Sequence, residues 1–359
     1  MVLKLPFTPQ ITQEIQRLLE LAQASQPPIF AFDRYFERLA QYSVRGKMVR
    51  SNLVLITWQG YQQKKRPPSE AAIQLAAIQE LSESGILLQD DVIDSDLLRR
   101  GQPTVHLQYR DLARKHNPKL RPLAAHKFGE SWAFLLGDVL YFYLFSLLAS
   151  LPTNANARLK LIKLYGDELM VTGSGQLGDV LTGFGIVTPD QEQVIEINRQ
   201  KTAHYTICLP LLAGATLAGQ PESELKKLTS FGETVGQLFQ LTDDRLDLFS
   251  DAETSGKSQG SDVRTGKRTQ LYFLTLQAVT QNETQLKQFQ SLYGNPKINS
   301  RGLETMRKLM IDSGAFEQHQ DLIQQLASEA TTQLIHLSLN EQAKSQVRQL
   351  IEFLVSREH

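Results

Sequence analysis

The chain has 359 residues, 41% of them hydrophobic, so it can bury a large core, and its 38 basic and 38 acidic side chains cancel. That balance excludes a broad basic nucleic-acid surface and a polybasic membrane patch, so any charge-driven function is local. The one cysteine, Cys208 in the apolar context ICLPLL, cannot form an internal disulfide, lacks metal-ligand spacing, suits a reducing cytoplasm and reads as a core residue.

The N-terminal MVLKLPFTPQITQEIQ lacks the charged start, continuous apolar run and small-residue cleavage site of a signal peptide, so no export is expected. Apolar residues three and four apart then recur through most of the sequence, while alternating strand-type segments are hard to find. The chain therefore reads as all-α. Breaks are expected at KKRPPSE (64–70), HNPKLRP (116–122), LPTNAN (151–156), GQPES (219–223), SDAETSGKSQGSD (250–262) and YGNPKINS (293–300). None is long enough for a clear linker, so residues 1–359 are expected to form a single domain.

Early in the chain, Gly46, Lys47 and Arg50 form G-K-x-x-R. Ile86 to Gly101 reads ILLQDDVIDSDLLRRG, with Asp90, Asp91 and Asp94 in the pattern D-D-x-x-D and Arg99 and Arg100 directly after. Trp132 to Leu151 is apolar enough to span a bilayer, but a buried helix of a large core explains it better, because overall hydropathy is modest and no second span exists. Thr188-Pro189-Asp190 offers an N-cap hydroxyl, proline at the first helical position and an acid in the first turn. The helix it opens is predicted to run past Lys201-Thr202 and to bend near Pro210.

The acidic pattern then returns in QLTDDRLDLFSD as Asp243, Asp244 and Asp247. Residues four apart share a helix face, so each motif aims a carboxylate pair in one direction, and like charges at that spacing call for a partner. A solvated acidic face or surface ion pairs would explain either motif alone. Two matching motifs with apolar flanks favour metal, and Mg²⁺ held by one or two carboxylates plus substrate phosphate oxygens is the usual arrangement. Arg99, Arg100, Lys257 and Lys267 follow the motifs, and Arg and Lys are the standard partners of phosphate oxygens. Jointly these residues describe a site for metal ions and more than one diphosphate.

With G-K-x-x-R (Gly46 to Arg50), DDVIDSDLLRRGQPTVH (Asp90 to His106), GD (Gly137, Asp138), GQLGD (Gly175 to Asp179), KTA (Lys201 to Ala203), FQLTDDRLD (Phe239 to Asp247) and GKSQGSDVRTGKRT (Gly256 to Thr269), the chain resembles the trans-isoprenyl diphosphate synthases, the polyprenyl synthetase family. The resemblance implies a helical bundle around a deep central cavity, with two acidic motifs facing each other across its mouth, and a homodimer. It implies three Mg²⁺ ions, with Asp90 and Asp94 holding two, Asp243 the third, and Asp91, Asp244 and Asp247 in support. Arg99, Lys201, Thr202, Gln240, Lys257 and Lys267 would hold an allylic diphosphate. Lys47, Arg50 and Arg100 would hold isopentenyl diphosphate, with Gly46 and Phe239 nearby. The implied reaction is ionisation of the allylic C–O bond, attack by the isopentenyl double bond and loss of a proton, with the departing diphosphate as base. His106 and His204 are expected to be structural.

Five positions depart from or qualify the pattern. Glu83 stands where the family usually has His or Gln against isopentenyl diphosphate, and its charge would repel a diphosphate unless it is protonated or paired with Arg100 or Lys47. Gln89 replaces a frequent His, and Ser51 a frequent Pro. Where bulky aromatics would stop the growing chain early, this sequence has Gly85 and Ile86, which puts successive floors near Ser82 and then Ile78 or Gln79; Tyr141, Phe142 and Phe145 are candidates to close the pocket. The implied product is geranylgeranyl diphosphate (C20) or longer. A class I terpene cyclase and a non-catalytic partner subunit are the alternatives.

Overall fold

A computed structural model describes residues 5–25, 35–64, 66–250 and 259–356. It is helical apart from one short hairpin, and the chain forms two compact units. One is built from Lys4–Tyr165 and Pro210–Pro221, the other chiefly from Gly166–Leu209 and Glu222–His359.

In the first unit, α1 (Thr8–Ser25), α2 (Tyr35–Ser43) and α3 (Val49–Gly60) pack around α4 (Glu70–Ile93), which also lies against α6 (Pro122–Ser150). Helix α4 starts where the Ser69 hydroxyl accepts the Ala72 N–H at 3.3 Å and Glu70 adds an acid to the first turn. It is buried on all sides, as a helix apolar on all faces must be, and it carries Glu80, Glu83 and Asp91 into the interior. Asp94 caps it, its N–H bonding the Asp90 carbonyl at 2.8 Å.

The hairpin follows directly: β1 (Leu98–Arg99) pairs antiparallel with β2 (Gln102–Pro103). Its two central residues, Arg100 and Gly101, have φ of 52° and 74°, the doubly left-handed turn that matches strand twist. This element was not expected. Helix α5 (Val105–His116) lies across α6, and a Cβ on Gly129 would collide with the His106 carbonyl.

Helix α6 is a core helix, as expected, but it is buried along one face only. Leu136, Leu140, Leu144 and Leu148 are buried on one face, but Leu135 is 60% and Phe142 76% exposed. It is the one described helix long and apolar enough to cross a membrane, and its packing against α4 and α5 makes it a core helix rather than a span.

Helix α7 (Ala155–Gly183) runs from the first unit into the second. There, α8 (Gln191–Asn198) begins two residues later than predicted. The Asp190 carboxylate accepts the Gln193 N–H at 2.8 Å and the Gln193 side chain accepts the Asp190 N–H at 3.0 Å, a reciprocal cap that outcompetes Thr188. The helix continues past Lys201 as predicted, but as a π-helix (Arg199–Cys208), ending before α9 (Leu209–Leu217), which contains Pro210. Helix α10 (Glu222–Phe249) packs on the π-helix and on α15 (Ala315–Ile335). The short α11 (Ser261–Thr265), α12 (Gln270–Val279), α13 (Glu283–Leu292) and α14 (Ser300–Asp312) build a local core around Val263, Phe289 and Met306, and α16 (Glu341–Ser356) closes on α15. Cys208 is buried, as expected.

Candidate active site

The first acidic motif sits where α4 ends. Asp91 is buried, and its Oδ1 accepts the Arg99 Nε–H at 2.6 Å, while Arg99 also reaches Asp96 at 3.0 Å and lies 3.7 Å from Asp90. Burial pushes the Asp91 carboxyl up to about 6 against the pull of Arg99. Asp90 is half-buried and Asp94 exposed. Gln89 donates to Asp138 Oδ1 at 2.9 Å, and it fits because position 137 is glycine, where a Cβ would stand 2.9 Å from the Gln89 amide nitrogen.

The residues of G-K-x-x-R meet Glu83 and Arg100. Arg50 bonds Glu83 Oε1 at 2.7 Å and Arg100 bonds the same oxygen at 3.3 Å, so the neutralising partners of Glu83 are both guanidinium groups, Arg50 the nearer. Gly46 makes room for this, since a Cβ there would stand 2.6 Å from Arg100 Nη2. Lys47 lies on the surface beside them in sequence. One turn before Glu83, buried Glu80 meets the Ser51 hydroxyl at 2.7 Å. Burial, with Glu83 adding to it, raises the Glu80 carboxyl to about 8. Ser51 thus has a role that the sequence reading did not give it.

The second unit carries the remaining predicted residues. Lys201 Nζ lies 2.6 Å from Asp179 Oδ2. Burial works against ionisation of Asp179, but Lys267 and Lys201 outweigh it and hold the carboxyl below its usual range. The Thr202 hydroxyl donates to the Gln240 carbonyl at 3.0 Å, and the Gln240 amide donates to Asp244 Oδ1 at 2.8 Å. Three predicted residues thus form one chain of hydrogen bonds. Asp243 is exposed, Phe239 half-buried, and Asp247 accepts the N–H groups of Ser261 and Asp262 at 3.1 and 3.0 Å, which pins α11. Lys257 lies outside the described residues. Asp179 and Glu80 are absent from the predicted set; Asp179 closes the GQLGD motif, which was the available signal.

These carboxylates fit a divalent cation. Asp91 Oδ2 and Asp244 Oδ2 are buried without a hydrogen-bond partner. Burial and the neighbouring Asp262 hold Asp244 well above the usual carboxylate range, and the same two causes raise Asp247 to about 7. Such groups lack positive charge. No three His, Cys, Asp or Glu side chains form a ready-made metal cage among the described residues, and Mg²⁺ held partly by substrate phosphates needs none.

The predicted floor has a definite shape. A Cβ on Gly85 would stand 3.1 Å from Cε1 of Tyr141, so the Tyr141 ring occupies the space beside Gly85. Ser82 is buried, and Gln79 accepts the Tyr165 hydroxyl at 2.9 Å. Phe142 is exposed and does not line this region, in contrast to the expectation; a helix residue next to Tyr141 points about 100° away.

Residues 33–310 match the family model of polyprenyl synthetases. The chain belongs to the polyprenyl synthetase family. It is a trans-prenyltransferase with the all-α isoprenoid synthase fold. A short chain isoprenyl diphosphate synthase of Methanocaldococcus jannaschii is 29% identical over 72% of this chain and 70% of its own length. A geranylgeranyl diphosphate synthase of Saccharolobus solfataricus is 28% identical over 80% of each. Among solved structures, a geranylgeranyl pyrophosphate synthase of Corynebacterium glutamicum, complexed with isoprenyl diphosphate and magnesium, superposes with a TM-score of 0.87 at 26% identity, covering 99% of this chain and 100% of that one.

Proposed function

We propose that this polyprenyl synthetase condenses isopentenyl diphosphate head-to-tail onto an allylic diphosphate, Mg²⁺-dependently, and releases diphosphate. The observation that carries the reading is the convergence of Arg50 and Arg100 on one oxygen of Glu83 beside Gly46. Two guanidinium forks aimed at a single oxygen make an anion site. A cyclase, which takes one diphosphate, has no use for it.

Within the first unit, Arg50, Arg100 and Lys47 bind isopentenyl diphosphate. Within the second, Lys201, Thr202 and Gln240, with Lys267, bind allylic diphosphate oxygens, and Arg99 and Lys257 belong to the same role by the family pattern. Asp90, Asp94 and Asp91, and Asp243, Asp244 and Asp247, would hold Mg²⁺, three ions on that pattern. When bound, Mg²⁺ neutralises the charge that develops on the leaving diphosphate. Lys201 and Thr202 meet the same developing charge with an ammonium and a hydroxyl. The allylic C–O bond breaks, the isopentenyl double bond attacks the allylic cation, and the departing diphosphate takes the proton whose loss restores a double bond.

The glycine at 85 supports a product of C20 or longer, with the Tyr141 ring as the first obstacle. The exposed apolar residues of α6 and α7 support a homodimer, and the single buried cysteine suits the cytoplasm. The purified protein is to be incubated with Mg²⁺, isopentenyl diphosphate and allylic diphosphates of increasing length. Longer diphosphates are expected, and chelation should abolish them. Hydrocarbons or alcohols would mean a cyclase instead, and no product at all a partner subunit.

A further inference from the structure

The π-helix that carries Lys201 and Thr202 is gripped by both neighbouring helices. Its widened ladder closes with the Leu209 N–H on the His204 carbonyl, a geometry that seldom persists without outside support. A Cβ on Gly175 of α7 would collide with the Lys201 nitrogen, and one on Gly236 of α10 with Ala203, so both helices press on the backbone around Thr202. Beyond these contacts lies a polar cluster with no part in the chemistry above, buried at Glu168 and His204 and half-buried at Arg199 and Glu233. His204 Nδ1 stands 2.8 Å from Glu168 Oε2 on α7, and its Nε2 stands 3.0 Å from Arg199 Nη1. Arginine can only donate, so Nε2 accepts and the ring proton sits on Nδ1, aimed at Glu168. Arg199 in turn reaches Glu233 on α10 at 2.5 Å and grips Glu196 with two bonds of 2.7 Å.

The spacing relates this cluster to the substrate groups. Glu168 precedes Asp179 on α7 by about three turns, and Glu233 precedes Gln240 on α10 by about two, so each pair shares a face. The π-helix is therefore tied to the same two helices at two levels: through His204 and Arg199, and through Lys201–Asp179 and Thr202–Gln240. Relaxation to a regular α-helix would shift the register of Lys201 and swing its ammonium by up to about 100°.

We propose that Glu168, His204, Arg199 and Glu233 form a positioning lock that holds the π register and so aims Lys201 and Thr202 at a diphosphate. The proposal rests on the reading of Lys201 as a diphosphate ligand. None of the four is a catalytic residue; each acts through the π-helix.

The test uses the full chain with Mg²⁺. Calorimetry measures binding of inorganic diphosphate, and steady-state kinetics measure the KM of each substrate, for wild type, Lys201→Ala, His204→Ala, His204→Asn and the double alanine variant. His204→Ala is expected to raise the allylic KM about 10- to 100-fold, as small misplacements do, with the isopentenyl KM unchanged. Asparagine, whose amide can replace the Nδ1–H donor, should recover most of the loss. The double variant should lose clearly less diphosphate affinity than the sum of the two single losses, because the Lys201 interaction is removed by both changes and only the Thr202 share is added. Additive losses, or equal changes in both KM values, would overturn the lock. If Lys201→Ala itself changes nothing, the ligand reading fails and the lock with it; if only His204→Ala is silent, the lock alone fails. Should His204→Ala not fold, Glu168→Gln replaces it, with a smaller loss in the same direction supporting the lock and none overturning it.

Discussion

Glu83 holds two guanidinium groups on one oxygen, and on the proposed function an entering diphosphate would have to compete with that carboxylate for them. Glu83→Gln keeps an oxygen acceptor and removes the charge, so the isopentenyl diphosphate KM is expected to fall by roughly 3- to 10-fold, the worth of one partly screened charge. Steady-state kinetics check this, and an unchanged KM in an active enzyme would show that the charge is not felt. Glu80 gives a pH signature. The Ser51 hydroxyl has one proton yet contacts both the Met48 carbonyl at 3.1 Å and Glu80 at 2.7 Å, which is satisfied when Glu80 is protonated and donates to Ser51. Its carboxyl rises from 4.5 to about 8 on folding, so the folded state holds the proton more tightly. The stability this gives is full below about 4.5 and is lost as pH rises through about 8. Glu80→Gln cannot lose a proton, so its Tm relative to wild type should climb from pH 5 to pH 9; a constant difference would refute the shift.

At the scale of elements, the helix breaks were legible at proline- and glycine-bearing stretches such as 116–122, 151–156 and 219–223, but not at Gly314 between α14 and α15. The start of α8 was misplaced because Thr188-Pro189-Asp190 holds two possible caps, and only Gln193 reaching back decides between them. The hairpin was not legible, since two-residue strands are too short for any alternation to register. The π-helix depends on the close approach of Gly175 and Gly236, which no local pattern records. The candidate site divides in the same way. Its acids and cations stood out by spacing, but the pairings Asp91–Arg99, Asp179–Lys201 and Glu80–Ser51 join separate elements and required the fold. The contact of α4 with α6 yields a third prediction. With Gly85 offering no side chain, the ring of Tyr141 on α6 fills the space beside it, and on the proposed function it would be the wall that a growing chain meets there. Tyr141→Ala should lengthen the product by at least one isoprene unit, because an aromatic ring spans about the 5.4 Å rise of one helical turn. Product chromatography reads the outcome, and an unchanged length would place the floor elsewhere.

For the molecule as a whole, the exposed apolar surface needs a cover. Along α7, Leu159 is 67%, Met170 72%, Leu177 69% and Leu181 42% exposed, and these positions recur at near-whole numbers of helical turns, so they form one stripe. Phe184 and Ile186, just beyond the helix, are 74% and 71% exposed. So many exposed large apolar side chains on one helix face are uncommon on a monomer, and the balanced net charge offers no long-range repulsion against a second copy. A two-fold contact would bury the same stripe on both partners, so one substitution acts twice. Leu177→Glu would place two carboxylates in that apolar contact. Sedimentation should show wild type as a dimer at micromolar concentration and Leu177→Glu shifted toward monomer, with helical circular dichroism retained because the side chain faces outward in the monomer. A wild type that stays monomeric throughout that range, or a variant that dimerises as well as wild type, would remove α7 from the interface.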